Sequence, residues 1–164
     1  MKICFIDKTN FKYSFIDKNS PLLRGAETTL INLSYNLSLI NNEVYVFNNC
    51  SKSYYSDNYK WQDINVLENS NSLFDVAIAN GDINLLNNVN AKKKFAISYS
   101  IQTIKKFIKK KQLSTYFKNK PKIILIGTYH KTKRNFLTRI WGYDFLQLSI
   151  DNNFINTEVD IGNI

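Results

Sequence analysis

Residues 24 to 47 read RGAETTLINLSYNLSLINNEVYVF, a stretch that predicts a helix followed at once by a buried strand. Apolar side chains recur in it at a 4-3-4-3 spacing, which lines them up along one stripe of a helix. These side chains are Ala26, Leu30, Leu33, Leu37 and Ile40. Glu27 falls in the first turn, where the helix dipole favours a negative charge. Asn41 and Asn42 predict the end of the helix, and Val44 begins the strand.

Short β-branched runs alternate with helix-like segments along the rest of the chain, as in βαβ units around a mainly parallel sheet. Most of these runs lack strict apolar/polar alternation, which is typical of strands covered on both faces. The predicted strands are 3–6, 44–47, 64–67, 76–79, 95–97, 123–126 and 146–150. A second helix is predicted from Thr103 to Phe117. We therefore expect residues 1–164 to form one α/β domain, a Rossmann-like three-layer sandwich with about six to seven mainly parallel strands and helices on both faces.

The composition indicates a single globular domain, since 44% of the 164 residues are apolar and 21% are charged. The apolar runs are far shorter than the roughly 20 residues that cross a bilayer. Asp7 follows the first apolar run too closely to leave room for a signal-peptide core, so a cytoplasmic location is expected. Cys4 and Cys50 lack a second Cys or His at metal-ligand spacing, which predicts neither a disulfide nor a metal site.

The net charge of +9 is concentrated in one part of the sequence. Residues 83–143 hold 15 Lys and Arg and no Asp or Glu, whereas residues 1–82 hold 7 basic and 9 acidic side chains. Such a basic stretch favours an anionic partner.

Four segments follow one another in an order that characterises a known family. The loop at residues 24–27 opens a Leu-rich helix, and FDVAIANG at 74–81, FAISYSIQ at 95–102 and the stretch from PKI to YHK at 121–131 come after it. Together they resemble the N-terminal domain of family-four-like glycosyltransferases of the GT-B fold, in which a Gly-Gly-Ala-Glu loop opens such a helix. The resemblance covers nearly the whole chain.

The resemblance implies half of an enzyme. The enzymes that the chain resembles move a sugar from a nucleotide-sugar donor to a saccharide or lipid-linked acceptor. They generally retain the anomeric configuration of the sugar and require no metal or other cofactor. In that family, the acidic motif of the donor site and most nucleotide contacts belong to a second Rossmann-like domain, which would follow residue 164. We therefore expect this chain to supply the acceptor side, to contain no complete catalytic site, and to be inactive by itself.

Candidate site residues lie where predicted strands end, because ligands of open parallel sheets bind beyond the carboxyl ends of the strands. A glycine at a helix N-terminus favours a bound anion, which makes a donor-phosphate loop of Arg24, Gly25, Ala26 and Glu27. The acceptor-side candidates are Asn80, Gly81, Asp82, Ser98, Tyr99, Ser100, Tyr129 and His130.

Three of these residues have alternative interpretations. Arg24 stands where the family has its first glycine, and it either offers a bidentate guanidinium to phosphate or is simply solvated. Asp82 either bonds acceptor hydroxyls or caps the segment that starts at Ile83. His130 is either a site residue or a partly exposed loop residue. The segment from Ser98 to Ser100 departs from the family, in which many members carry a histidine near the reacting sugar.

The basic helix predicts a membrane-surface contact, because the resembling enzymes often use lipid-linked acceptors at an anionic leaflet. Its candidate residues are Lys105, Lys106, Lys109 and Lys110. The alternative is a solvated face that only keeps the protein soluble. A nucleic-acid-binding module is a competing function, but no helix-turn-helix, RRM or KH signature is present, so no nucleic acid is expected as a partner. A dinucleotide-dependent oxidoreductase would need the G-x-G-x-x-G fingerprint, which this sequence lacks.

Overall fold

The computed structural model describes residues 1–68, 71–100, 103–126 and 145–147. Its strands are β1 (Lys2–Ile6), β2 (Glu43–Asn48), β3 (Tyr54–Tyr55), β4 (Tyr59–Asp63), β5 (Leu73–Asn80), β6 (Asn90–Ser98), β7 (Lys122–Leu125) and β8 (Phe145–Gln147). They form one sheet with the order β3-β4-β2-β1-β5-β6-β7-β8. Neighbouring strands are parallel except for the short β3, which pairs antiparallel with β4.

Helices cover both faces of this sheet. They are α1 (Gly25–Leu39), α2 (Ile64–Glu68), α3 (Thr103–Lys109) and α4 (Leu113–Asn119), with two 3-10 turns at Phe15–Asp17 and Ile83–Asn88. Leu30 and Ile31 of α1 belong to one buried cluster, whereas Ile104 and Phe107 of α3 belong to a separate one. The predicted fold class, a mainly parallel α/β three-layer sandwich, is therefore confirmed.

The direction of the chain through the sheet reverses beside β1. After β1 the chain moves outward through β2 to β4, and it then returns to place β5 on the other side of β1. In a doubly wound sheet such a reversal opens a crevice at the carboxyl ends of the two strands, where ligands bind. The end of β1 and the end of β5 therefore define the place to look for a site.

Two predicted elements are wrong. Residues 64–67 are not a strand but belong to helix α2, because Ile64 and Leu67 lie one helical turn apart and pack into the same core cluster while Val66 is exposed. The strand lies just before them, where Tyr59 and Trp61 alternate inward.

The predicted helix from Thr103 to Phe117 is instead the two helices α3 and α4. Lys111 has a left-handed backbone with φ of 54°, and the amide of the buried Gln112 donates to the carbonyl of Phe107 at 2.7 Å. These contacts end α3 before α4 begins. Like charges one turn apart in the lysine-rich sequence also disfavour a continuous helix.

Helix α1 begins and ends one residue before the predicted helix, and its most buried face is rotated from the predicted stripe, of which Leu33 and Leu37 pack only partly against the core. Its buried residues are Glu27, Leu30, Ile31, Ser34 and Ser38, while Ile40 of the predicted stripe is exposed. Ser34 and Ser38 can be buried against the sheet because their hydroxyl groups form hydrogen bonds. The Ser34 hydroxyl lies 2.8 Å from the Tyr59 hydroxyl, and the Ser38 hydroxyl donates to the carbonyl of Tyr35 at 2.6 Å.

Candidate functional site

The residues with the most polar chemistry meet at the switch point between β1 and β5. Asp7 follows directly after β1, Asn80 is the last residue of β5, and Tyr99 follows β6. Parallel strands bring their carboxyl ends to one edge of the sheet. Residues from three distant segments of the chain therefore lie side by side.

A chain of hydrogen bonds joins them. The Tyr13 hydroxyl donates to Oδ2 of Asp7 at 2.6 Å, and Nδ2 of Asn80 donates to Oδ1 of the same carboxylate at 3.3 Å. The Tyr99 hydroxyl donates to Oδ1 of Asn80 at 2.6 Å and lies 3.2 Å from the carbonyl oxygen of Ala26. Tyr13, Asp7 and Asn80 are buried. The network fixes Asn80 and Tyr99 beneath the start of α1.

The site combines buried groups that affect one another's charge. Burial raises the pKa of Asp7, the hydrogen bonds from Tyr13 and Asn80 oppose that rise, and the charge of Glu27 adds to it. Burial also raises the pKa of Tyr99, and the negative charges of Asp7 and Glu27 act in the same direction. Two carboxyl groups and two phenols therefore share one electrostatic environment.

The loop that opens α1 contains an ion pair that sequence analysis did not foresee. Nη2 of Arg24 donates to Oε1 of Glu27 at 2.6 Å, although the Arg24 side chain is 68% exposed and that of Glu27 only 1%. Oε2 of Glu27 is buried and has no hydrogen-bond partner among the described residues. Arg24 is thus paired with a carboxylate rather than only solvated, and Oε2 of that carboxylate can still accept a hydrogen bond.

Gly25 and Gly81 have different structural roles. A Cβ at Gly25 would meet none of the described residues within 4 Å, and the backbone there does not require glycine. Gly81 has φ of 78°, in the left-handed region that favours glycine. Gly25 leaves open space at the N-terminus of α1, where an anion is favoured. Gly81 is explained by its backbone alone.

Asp82 has a structural role in this arrangement. Its Oδ1 accepts from the amide of Asn84 at 2.9 Å, which caps the 3-10 turn, and from Nε2 of Gln112 at 2.6 Å. Of the two interpretations of Asp82, the structure therefore agrees with a cap for the segment that starts at Ile83. The bond to Gln112 also ties the end of β5 to the start of α4.

The remaining acceptor-side candidates divide into two groups. Ser98 is buried and Ser100 half-buried, and each backbone–side-chain contact between them measures 3.4 Å, so both belong to the turn that carries Tyr99. Tyr129 and His130 lie outside the described residues.

The predicted membrane-surface lysines lie on or just after α3. Lys105, Lys109 and Lys110 are exposed, whereas Lys106 is half-buried. Burial lowers the pKa of Lys106, the charge of Lys110 lowers it further, and Asp82 opposes both effects. Ile108, 52% exposed, lies between these lysines in the sequence, so the surface is both basic and partly apolar.

Sequence reasoning missed Asp7 and Tyr13 as site residues. The rule that directs attention to the carboxyl ends of strands applies to Asp7, which follows β1 directly. Its position was interpreted only as evidence against a signal peptide. Tyr13 had no comparable signal, because its burial depends on contacts with distant residues such as Trp61, whose ring lies 5.8 Å away.

No known protein family, curated protein sequence or solved structure matches this chain. Among the described residues, there is no group of three or more His, Cys, Asp or Glu side chains placed to hold a metal ion. Within the same residues, no helix is long and apolar enough to cross a membrane.

Proposed function

We propose that this chain is the acceptor-binding half of a glycosyltransferase, which positions a saccharide or lipid-linked acceptor against a nucleotide-sugar held by a second domain. The observation that carries the proposal is the polar network at the β1/β5 switch point, beneath the Arg24–Glu27 pair. The resemblance in sequence to family-four-like glycosyltransferases supports the same interpretation.

The chemistry of this network suits a ligand rich in hydroxyl groups. A sugar hydroxyl both donates and accepts hydrogen bonds, and the site offers carboxylate, amide and phenol groups close together. Among the described residues of this site, Oε2 of Glu27 is a buried acceptor without a hydrogen-bond partner. Buried polar groups without partners carry a free-energy cost, so a hydroxyl that reaches Glu27 relieves it.

Arg24 links acceptor and donor in this proposal. Its guanidinium is exposed beside the open space at Gly25, and guanidinium groups bind phosphate through two parallel hydrogen bonds. A donor phosphate would compete with Glu27 for Arg24. The released Glu27 would then accept from an acceptor hydroxyl, so donor and acceptor binding would favour each other.

Binding of oligosaccharides to variants tests the proposal. Saturation-transfer NMR with a panel of neutral oligosaccharides should detect binding to the native chain, and Glu27→Gln should weaken it by about fivefold or more, since one charge-assisted hydrogen bond is lost. Lys52→Ala, a change at an exposed lysine, is the control and should leave binding unchanged. Oligosaccharide binding that is equal in the native and Glu27→Gln chains would contradict the proposed site.

We also propose that the lysine-rich surface of α3 contacts an anionic membrane. Lys105, Lys109 and Lys110 are exposed, and the apolar side chains of Ile108 and Phe117 are 52% and 51% exposed in the same α3–α4 region. Basic side chains attract anionic lipid by about 1 kcal/mol each, and exposed apolar groups favour the interface.

Vesicle sedimentation tests this second contact. Binding should require anionic lipid, weaken with added salt, and fall when Lys105, Lys106, Lys109 and Lys110 are changed to Gln. The matched control changes four exposed lysines elsewhere, Lys8, Lys12, Lys18 and Lys52, and therefore removes the same charge. Equal loss in both variants would show that only net charge matters. Tight, salt-sensitive binding to single-stranded RNA would instead favour the nucleic-acid module.

A further inference from the structure

A second concave region lies at the opposite edge of the sheet from the candidate site. In the pairing of β6 with β7, Phe95 is opposite Lys122, the first residue of β7. Residues 91–94 of β6 therefore extend beyond the start of β7. The end of α4 and its connection to β7 form the facing wall of a cavity of ≈ 520 Å³ that is open to solvent on one side. Pockets that hold small molecules have volumes of about 300 to 1,000 Å³.

The lining of this cavity is strongly basic. It includes Lys92, Lys93 and Lys94 of β6, Lys118 and Asn119 of α4, and Lys120. Lys92 pairs with Asp75 at 2.7 Å. In the described part of the chain, no carboxylate forms an ion pair with Lys93, Lys94, Lys118 or Lys120. Within the described residues, these four lysines therefore carry a positive charge that no ion pair balances.

Lys94 shows that this charge reaches into a partly enclosed space. It is half-buried, and its Nζ donates to the carbonyl of Leu86 and to Oδ1 of Asn119, each at 2.8 Å. Both acceptors are neutral. Burial lowers the pKa of Lys94, and the charge of Lys118 lowers it further. An anion in the cavity would offset both effects.

We propose that this cavity binds a soluble anion that carries two or more linked phosphate groups. Lysines line it from two walls: Lys92 and Lys94 on β6, and Lys118 near the end of α4 with Lys120 just after it. Each ammonium group is a point charge on a flexible stem, which suits phosphate oxygens spread over several positions. A single phosphate or carboxylate would leave much of this charge unbalanced.

This site is separate from the one proposed for sugar transfer. Lys94 is four residues before Ser98 on β6, so the cavity lies toward the amino ends of the strands, whereas the Arg24 loop lies at their carboxyl ends. Anion binding at one site can therefore be measured independently of the other.

Calorimetric titration with tripolyphosphate, pyrophosphate and orthophosphate at near-physiological salt tests the proposal. Affinity should rise in the order orthophosphate, pyrophosphate, tripolyphosphate. The double variant Lys118→Gln, Lys120→Gln should weaken tripolyphosphate binding by about tenfold. Both lysines are exposed, so folding should be retained. Tripolyphosphate should also raise the pKa of Lys94, which an NMR titration of its side chain measures.

Two control variants locate the binding. Lys105→Gln with Lys109→Gln removes the same charge from α3, and Lys18→Gln with Lys52→Gln removes it from two exposed lysines elsewhere; each should change tripolyphosphate affinity by less than about twofold. The proposal is overturned if either control weakens binding as much as the cavity variant does. It is also overturned if orthophosphate binds as tightly as tripolyphosphate, if single-stranded RNA binds more tightly than tripolyphosphate, or if tripolyphosphate does not bind.

Discussion

Replacing Tyr13 by phenylalanine removes one buried hydroxyl while keeping the aromatic ring in place. That hydroxyl donates to the Asp7 carboxylate at 2.6 Å, at the centre of the candidate site. A hydrogen bond to a charged group contributes about 1.5 to 3 kcal/mol, and its loss leaves a buried carboxylate with one donor fewer. We expect the free energy of unfolding to fall by about 2 to 3 kcal/mol near neutral pH.

Tyr59→Phe provides a matched control. Its hydroxyl is equally buried, but it bonds the neutral Ser34 hydroxyl at 2.8 Å. The loss of a neutral pair costs about 1 kcal/mol. The two variants therefore remove the same atom from similar surroundings, and they differ in whether the partner carries charge.

The pH dependence separates the two cases. Burial raises the pKa of Asp7 above 3.8, and the Tyr13 hydrogen bond limits that rise, so the variant should have a still higher Asp7 pKa. A group with a raised pKa binds more protons in the folded state than in the unfolded state. Its presence therefore makes stability fall as pH rises from the unfolded pKa through the folded one.

This fall in stability with rising pH is larger in Tyr13→Phe than in the native chain. The loss of unfolding free energy caused by Tyr13→Phe should therefore become smaller as pH decreases toward about pH 4. The reduction should be roughly 1.4 kcal/mol for each unit between the Asp7 pKa of the folded variant and that of the folded native chain. Urea denaturation across this range measures it, and the penalty of Tyr59→Phe should stay constant. Equal, pH-independent penalties in the two variants would refute a charged Asp7 held by Tyr13.

Three further outcomes follow from the same structure. In thermal denaturation, Gly25→Ala should leave the free energy of unfolding unchanged or raise it by up to about 1 kcal/mol, and it should weaken phosphate binding at that loop. Gly81→Ala should lower the free energy of unfolding by about 1 to 2 kcal/mol, because Gly81 has a left-handed backbone. Asp82→Ala should cost about 1 to 2 kcal/mol through the lost cap and leave oligosaccharide binding intact; a loss of binding without a loss of stability would restore Asp82 as a ligand contact. The chain alone should show no sugar transfer with any nucleotide-sugar and at best weak nucleotide binding, and robust turnover in a radiolabel assay would show that a second domain is not required.

Local patterns predicted the layers of the fold but not every element. Helix α1 and the central strands follow from apolar runs and their spacing, because buried parallel strands and an amphipathic helix have different periods. The segment at 64–67 is short and apolar, and such a run does not distinguish a strand from a helical turn. The break between α3 and α4 depends on the burial of Gln112 and its bond to Asp82, which are contacts between distant residues.

The candidate site was predictable in position but not in composition. The rule that ligands bind at the carboxyl ends of parallel strands predicted Asn80 and Tyr99 as site residues, and the structure joins both in one hydrogen-bond network. The Arg24–Glu27 pair and the role of Asp7 depend on three-dimensional contacts and charge. A residue type in a loop does not reveal which neighbour will bury it. Asp7 was therefore identified as a site residue only from the structure, whereas Glu27 was already a candidate and only its pairing with Arg24 was new.

The most direct test of the central claim is an NMR map of oligosaccharide binding on the isotope-labelled chain. The account predicts that amide shifts caused by a bound oligosaccharide cluster at Asp7, at residues 24–27, at Asn80 and Gly81, and at residues 98–100. The same spectra of the Glu27→Gln variant should show smaller shifts at equal ligand concentration. Shifts that are absent at these positions, or that cluster around Lys94 and Lys118 instead, would contradict an acceptor site at the β1/β5 switch point.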